Sequence, residues 1–121
     1  MTTGEVAKKL VEFCNKGENH KAMEQLYSPN IVSVEAMEMH GMPREIKGID
    51  AVKKKSEWWI NNHVVHSAKC LGPYVAVDKF SVIFEYDVTH KPTAKRMKMN
   101  EVAVFTVANG KIVHEEFLYA E

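Results

Sequence analysis

Three glutamates lie in strand-like stretches where a carboxylate is hard to place. Glu35 ends the run "IVSVE", Glu101 follows "MKMN" and Glu115 precedes Phe117 in "HEEF". A carboxyl group among apolar side chains has its pKa raised toward neutrality, where it can act as a general acid or base. We therefore take the three glutamates as candidate catalytic groups. The alternative for each is an ion pair with a nearby Lys or Arg; for Glu35 the candidates are Arg44 and Lys47.

Glu115 and its neighbour Glu116 must point to opposite faces of a strand. The Asn109-Gly110 pair just before them favours a tight hairpin turn. Counting from this turn predicts that Glu115 faces an enclosed pocket and Glu116 faces the surface or an interface. The full inward set is Val113, Glu115, Phe117 and Tyr119, and the outward set is Ile112, His114, Glu116 and Leu118.

The segments that must position these acids have helical periodicity first and strand periodicity afterwards. Apolar spacing predicts helices near 2–17, 19–27 and 49–63, the first begun by a capping box of Thr2 and Glu5. Alternation predicts strands at 31–37, 64–77, 80–89, 95–107 and 111–119. This order indicates an α+β fold in which three N-terminal helices pack in a curved antiparallel sheet.

The strand at 95–107 carries apolar residues on both of its faces. Met99 and Phe105 share one face with Glu101, while Val102 and Val104 lie on the other. A sheet that is apolar on both faces must bury each face against another element. The helices supply one cover, and we expect a second copy of the chain to supply the other. The predicted homodimer uses the outer face at Val102, Val104 and the neighbours of His114.

Composition limits the classes of partner. The chain has 121 residues, which we interpret as one domain over 1–121, and 16 basic residues balance 16 acidic ones. This neutrality gives no electrostatic reason to expect nucleic acid or an anionic membrane. No apolar run approaches the roughly 20 residues of a spanning helix, and no signal peptide is visible. Cys14 and Cys70 form no short motif, so we expect free thiols and a cytoplasmic location.

His63 and His66 form a His-x-x-His pair next to the third helix. Two histidines with no third ligand nearby are a weak signal for zinc, and we expect no metal and no cofactor. His63 is better placed to end the helix, and His66 to hydrogen-bond at the opening of the fold. On the helix itself, Trp59 continues the apolar stripe from Val52, and Lys53–Lys55 are expected to point mostly outward.

The order of these elements resembles that of the nuclear transport factor 2-like superfamily, a group of cone-shaped α+β barrels. The local strings that carry the resemblance are "LYSPNIVSVE" (26–35), "IKGIDAVKKKSEWW" (46–59), "FSVIFEYDV" (80–88) and "VANGKIVHEEFLY" (107–119). Within the superfamily the chain looks most similar to the small SnoaL-like proteins, which are of polyketide cyclase or ketosteroid isomerase type. The resemblance implies the fold more strongly than the function, because the superfamily contains both enzymes and binding domains.

The resemblance also implies positions for functional groups. The ketosteroid isomerases place a general-base carboxylate at the end of the first strand, where this chain has Glu35, and a neutral acid on the next-to-last strand, where Glu101 is nearest. Their first-helix tyrosine corresponds to Leu10. The last-strand aspartate of the related epoxide hydrolases corresponds to Phe117. Steroid isomerisation and epoxide hydrolysis are therefore both disfavoured.

Two function classes remain open. The first is a cofactor-free enzyme that performs acid–base isomerisation, dehydration or cyclisation on an apolar ligand. The second is a non-catalytic ligand-binding or dimerisation module. Carboxylates free of Lys and Arg favour the first class, and ion-paired carboxylates favour the second. The residues expected to line the ligand site are Phe13, Trp59, His66, Phe84, Met99, Phe105 and Phe117.

Overall fold

The structure is a computed structural model that describes residues 1–39 and 41–120. Its helices are α1 (Thr3–Asn15), α2 (Asn19–Leu26) and α3 (Ile49–Asn62), and its strands are β1 (Tyr27–Val34), β2 (Glu45–Lys47), β3 (His63–Val75), β4 (Lys79–His90), β5 (Lys95–Ala108) and β6 (Lys111–Leu118). This is the predicted α+β arrangement of three helices against a curved sheet. None of the helices described has the length and apolar character needed to cross a membrane.

The capping box that opens α1 is present as predicted. The Thr2 hydroxyl accepts the backbone N–H of Glu5 at 3.1 Å, and the Glu5 carboxylate accepts the backbone N–H of Thr2 at 3.0 Å. Two N–H groups that the first turn leaves without a partner are thereby satisfied. Thr2 and Glu5 together determine where α1 begins.

The six strands form one sheet in the order β2-β1-β6-β5-β4-β3. Neighbours are antiparallel except for β1 and β6, which run parallel. The expectation of a purely antiparallel sheet is wrong at this pair. Between β1 and β6 the chain passes through α3 and three long strands, and it returns beside β1 in the same direction. β2 is not among the predicted strands, because three residues are too few to show alternation.

The first strand begins four residues earlier than predicted. Ser28, Pro29 and Asn30 have the composition of a turn, yet they belong to β1. The pairing of β1 with β6 is irregular between Tyr27 and Val32, and a proline without an N–H is tolerated at such an irregularity. The predicted end at Met37 is also too late, since β1 ends at Val34.

The core lies between the helices and the inner face of the sheet. The rings of Phe80 and Phe105 stack there with their centroids 4.8 Å apart. The predicted inner faces of β4 and β5 are confirmed by burial. The fully buried side chains of the core are Val6, Ala7, Leu26, Ile31, Val82, Ala103 and Ile112.

Ile112 was predicted to face outward, and this prediction is wrong. The Asn109-Gly110 turn has positive φ at both residues, as the expected hairpin requires. Directly after it, Val107 pairs with Ile112 and Thr106 pairs with His114. The extra residue is a β-bulge that reverses the alternation once. From Glu115 onward the predicted inward and outward faces are correct.

On the outer face of the sheet, one residue from each of four neighbouring strands forms an apolar row. Leu71 pairs with Ile83, Ile83 with Val102, and Val102 with Leu118. The two ends of the row are open to solvent, with Leu71 exposed by 40% and Leu118 by 47%. The sheet therefore presents apolar side chains on the face opposite the helices.

Candidate functional site

A cavity of about 490 Å³ lies between the helices and the inner face of the sheet. All three candidate glutamates, Glu35, Glu101 and Glu115, line it. The residues expected in the ligand site that do line it are Trp59, Phe84, Met99, Phe105 and Phe117. The inward faces read from strand alternation therefore converge on one space.

Phe13 and His66, which were also expected in the ligand site, do not line this cavity. Phe13 packs against the buried core, because helical spacing turns Leu10 and Cys14 toward the cavity instead. His66 is exposed, and its Nε2 lies 2.7 Å from the Thr89 hydroxyl. It is the extra residue of a bulge in the pairing of β3 with β4.

Glu115 is buried and both of its carboxylate oxygens are occupied. Only 3% of the residue is exposed. The Tyr27 hydroxyl donates to Oε1, and the Ser33 hydroxyl donates to Oε2 at 2.7 Å. Burial raises the pKa of Glu115, while these two hydrogen bonds act against the rise. Burial and the nearby Glu115 charge together raise the pKa of Tyr27. Glu115 therefore ties β6 to two residues of β1, Tyr27 and Ser33.

Glu35 forms an ion pair, which was one of the two alternatives predicted for it. Its partner is Lys55, not Arg44 or Lys47. Lys55 Nζ lies 2.8 Å from Glu35 Oε1, and the two side chains are only 12% and 18% exposed. The Tyr119 hydroxyl donates to Glu35 Oε2 at 3.0 Å. Arg44 reaches only the backbone oxygen of Glu35, at 3.1 Å. Both carboxylate oxygens of Glu35 are thus engaged.

Lys55 links the Glu35 and Glu115 clusters. Its Nζ also donates to the Ser33 hydroxyl at 2.6 Å and lies 5.2 Å from the centre of the Phe117 ring. The prediction that Lys53–Lys55 point outward is wrong for this residue. A usable signal was present in the sequence. Lys55 follows Val52 by three positions and precedes Trp59 by four, which places it on the inward stripe of α3.

Glu101 differs from the other two acids. Within residues 1–39 and 41–120, its carboxyl group makes no hydrogen bond and no ion pair, although it lines the cavity. Burial raises the pKa of Glu101 to about 7, and the negative charge of Glu35 adds to the rise while Lys55 opposes it. A carboxyl group with this pKa can both accept and return a proton near neutral pH.

Tyr86 is the polar cavity residue beside Glu101 that the sequence reading did not single out. Its ring packs between Trp59, at 5.3 Å between centroids, and Phe84, at 5.8 Å. Burial and the neighbouring Glu101 charge raise the pKa of Tyr86, so the phenol stays protonated. Its inward position on β4 follows from the same alternation that places Phe84.

The site as a whole combines the unengaged carboxyl group of Glu101, the protonated phenol of Tyr86 and the Lys55–Glu35 ion pair. In the part of the chain that the structure describes, no three His, Cys, Asp or Glu side chains group as metal ligands. The chemistry that these groups offer is proton transfer to and from a bound molecule, with a hydrogen-bond donor beside the acid.

The cone-shaped α+β fold with an acid in its cavity defines the general class of protein. A match to a family model identifies the family within that class. The model of the SnoaL-like domain matches residues 1–119, and the chain belongs to this family. A Mesorhizobium loti protein, a candidate SnoaL-like polyketide cyclase, is 44% identical. Its structure superposes with a TM-score of 0.93, over 98% of this chain and 100% of that one. The resemblance inferred from the sequence is confirmed.

More distant structures share the fold. A nuclear transport factor 2-like protein from Burkholderia thailandensis is 20% identical with a TM-score of 0.80, over 99% of this chain and 92% of that one. A candidate isomerase from Bacillus subtilis is 18% identical with a TM-score of 0.76, over 98% and 86%. No curated protein matches the sequence.

Proposed function

We propose that this SnoaL-like protein binds a mainly apolar small molecule in its cavity and transfers a proton within it, without a cofactor. The observation that carries the proposal is Glu101, whose carboxyl group faces the cavity with a pKa of about 7. The names of the Mesorhizobium and Bacillus proteins, a cyclase and an isomerase, fit such chemistry.

In the proposed reaction, the Glu101 carboxylate removes a proton from a carbon next to a substrate carbonyl. The electron pair of the C–H bond moves into an enolate, and the oxygen that gains charge accepts a hydrogen bond from Tyr86. The Glu101 carboxylic acid then returns the proton to another atom of the same substrate. Isomerisation or ring closure results, according to where the proton or the new bond is placed. Apolar walls exclude water, which strengthens both interactions.

Glu35 and Glu115 have supporting roles in this proposal. Each has both carboxylate oxygens engaged, by Lys55 and Tyr119 or by Tyr27 and Ser33. The charge of Glu35 helps to raise the pKa of Glu101, which makes it a positioning and tuning group. The sequence had offered all three as catalytic acids, and only Glu101 keeps that role here.

A generic C–H acid tests the proposal before any substrate is known. In 5-nitrobenzisoxazole, a base that removes the ring C–H proton breaks the N–O bond and releases a coloured phenolate. We expect turnover that rises as Glu101 deprotonates, with a midpoint at about pH 7. E101Q should lose turnover on the order of 100-fold, whereas E116Q, changed on the outer face, should keep it.

The second candidate function is a binding module, favoured because two of the three cavity acids are already engaged, Glu35 by an ion pair and Glu115 by hydrogen bonds. Quenching of the tryptophan fluorescence by the same probe separates the two functions, because Trp58 and Trp59 line the cavity. Binding with equal and slow turnover in wild type and E101Q would assign the protein to the binding class. Binding with Glu101-dependent turnover would assign it to the enzymes.

We also propose that two copies pair through the outer face of the sheet. The apolar row of Leu71, Ile83, Val102 and Leu118 supports this, because its ends are exposed and its residues are in register. Sedimentation at micromolar concentration should give a dimer that L118R converts to a monomer. V77R, a matched change at a residue that is 92% exposed outside the row, should remain dimeric.

The proposed cellular location is the cytoplasm. Both cysteines are free thiols, as is usual where thiols are kept reduced. Cell fractionation followed by immunodetection checks this, and recovery of the protein outside the cytoplasmic fraction would contradict it.

A further inference from the structure

Two cysteines that the proposed reaction does not use meet in the cavity wall. Cys14 lies in the last turn of α1 and Cys70 lies in β3, and neither is part of a disulfide. Both line the cavity. Asn15, the residue after Cys14, is hydrogen-bonded to the backbone of Cys70, which brings the two cysteines together in the wall. The two thiols, far apart in the sequence, are close enough in the fold to shift each other's pKa.

Asn15 holds the two cysteines next to each other. β3 is an edge strand, so one side of its backbone has no strand partner. The Asn15 side chain fills that place at Cys70 itself: its Nδ2 donates to the Cys70 carbonyl at 3.0 Å, and its Oδ1 accepts the Cys70 N–H at 2.9 Å. Because Asn15 directly follows Cys14, these two bonds fix the end of α1 against Cys70.

The two thiols are chemically unequal. The hydrogen bond to Cys70 and burial raise the pKa of the Cys14 thiol. The same bond lowers the pKa of the Cys70 thiol, against the effect of burial. Because the thiolate is the reactive form, Cys70 is the better nucleophile and Cys14 is suited to attack second.

We propose that Cys14 and Cys70 form an oxidisable dithiol in the cavity wall, which a hydroperoxide converts into a disulfide between α1 and β3. The Cys70 sulfur attacks the terminal oxygen of the hydroperoxide, the O–O bond breaks, and Cys70 becomes a sulfenic acid. Cys14 then attacks the Cys70 sulfur, the S–O bond breaks, and water leaves with the Cys14 proton. With hydrogen peroxide, two thiols and one peroxide give one disulfide and two waters.

The disulfide would tie the end of the first helix to the edge strand at the wall of the ligand cavity. A covalent link across such a long loop restricts the unfolded chain, so the oxidised protein should melt at a higher temperature, by on the order of 10 °C. The cavity would at the same time lose the freedom of α1 to move away from β3. Oxidation would in this way act on ligand entry.

Hydrogen peroxide titration of the purified full chain tests the proposal without a substrate. Wild type should lose about 2 Da and both iodoacetamide-reactive thiols, and a reductant should restore them. In C14S the Cys70 sulfenic acid should persist and be trapped by dimedone. In C70S the remaining Cys14 should react roughly ten-fold more slowly. N15A, which keeps both thiols but loses the two bonds to Cys70, should close the disulfide more slowly than wild type.

Two results would overturn the proposal. In the first, oxidised wild type contains only sulfinic acids or disulfides between two chains. Digestion then gives no pair of peptides joined by a Cys14–Cys70 disulfide. The other is equal peroxide reactivity of C14S and C70S. Both readouts are independent of turnover, so they stand whether or not Glu101 is a catalytic base.

Discussion

Glu101 and Glu115 lie on neighbouring strands of the same inner face, yet they are in opposite chemical situations. Glu115 is 3% exposed and receives hydrogen bonds on both oxygens. Glu101 faces the cavity, and among the described residues no hydrogen bond or ion pair reaches it. Burial raises the pKa of both. The difference shows that burial alone does not make an acid available for chemistry; the donors already bound to it decide whether it can act.

The donors around Glu115 come from distant parts of the chain. Tyr27 and Ser33 lie on β1, and Lys55, which bonds Ser33, lies on α3. None of these elements contributes a hydrogen bond to Glu101, whose cross-strand partner is the apolar Phe84. The cavity therefore has a polar, bonded end at β1 and β6 and a less engaged acid on β5.

The largest expected effect is a difference in unfolding free energy between alanine variants of Glu115 and Glu101. E115A should lower the free energy of unfolding by about 3 kcal/mol, because the Tyr27 and Ser33 hydroxyls lose their acceptor. E101A should not lower it, since no hydrogen bond is lost and the cost of deprotonating a buried carboxyl group at pH 7 is removed. Urea denaturation of both variants at pH 7 measures the difference. Equal losses would erase the distinction between the two sites.

The second prediction concerns pH. The pKa of Glu101 rises from 4.5 to about 7 on folding, so the folded state holds this proton more tightly. The resulting stabilisation is complete below pH 4.5 and is lost as the pH rises through about 7. Wild type should therefore lose about 3 kcal/mol more than E101Q between pH 4.5 and pH 8. Parallel stability curves for the two proteins would contradict a titrating Glu101.

Lys55 should connect the two acids electrostatically. Its positive charge lowers the pKa of Glu101, so K55M should move the Glu101 titration midpoint upward from about 7. A shift of roughly half a pH unit to one unit is expected for a single nearby charge. NMR titration of the Glu101 side-chain carboxyl carbon measures it. K54M removes the same charge from an exposed position on the same helix and should leave the midpoint in place.

The smallest effect is expected at Tyr119. Y119F removes one hydrogen bond to Glu35, which keeps its ion pair with Lys55. The free energy of unfolding should fall by only about 0.5 kcal/mol. The same Tyr-to-Phe change at Tyr27 acts on the buried Glu115 and should cost more than twice as much in the same denaturation series. A larger loss of unfolding free energy in Y119F than in Y27F would contradict the prediction that the hydrogen bonds of Glu115 contribute more to stability than those of Glu35.

The alternating patterns of the strands predicted many of the side chains that face the cavity, whereas the outward prediction for Lys55 on α3 was wrong. They placed Glu101, Phe105 and Glu115 correctly, because a packed sheet leaves no freedom in which face a residue occupies. They failed at Ile112 and His66, since each error coincides with a bulge. A bulge is one added residue, and no pattern in a single sequence marks it at those positions.

The state of each acid could not be predicted in the same way. Whether Glu115 is bonded depends on Tyr27 and Ser33, which are 88 and 82 residues away. Such contacts follow from the parallel pairing of β1 with β6, a feature of topology and not of local spacing. Lys55 is the exception, because its helical position relative to Val52 and Trp59 could have revealed it.

The parallel pairing of β1 with β6 also has a consequence for how the chain reaches this structure. β6 is the last of the six strands to be synthesised, yet it lies between β1 and β5. Until it emerges, the sheet exists at most as two separate pieces, β2-β1 and β5-β4-β3. Closure must then join residues from both ends of the chain, which is slow compared with the formation of local contacts. Pulse-labelled hydrogen exchange during refolding should show β3, β4 and β5 protected before β1.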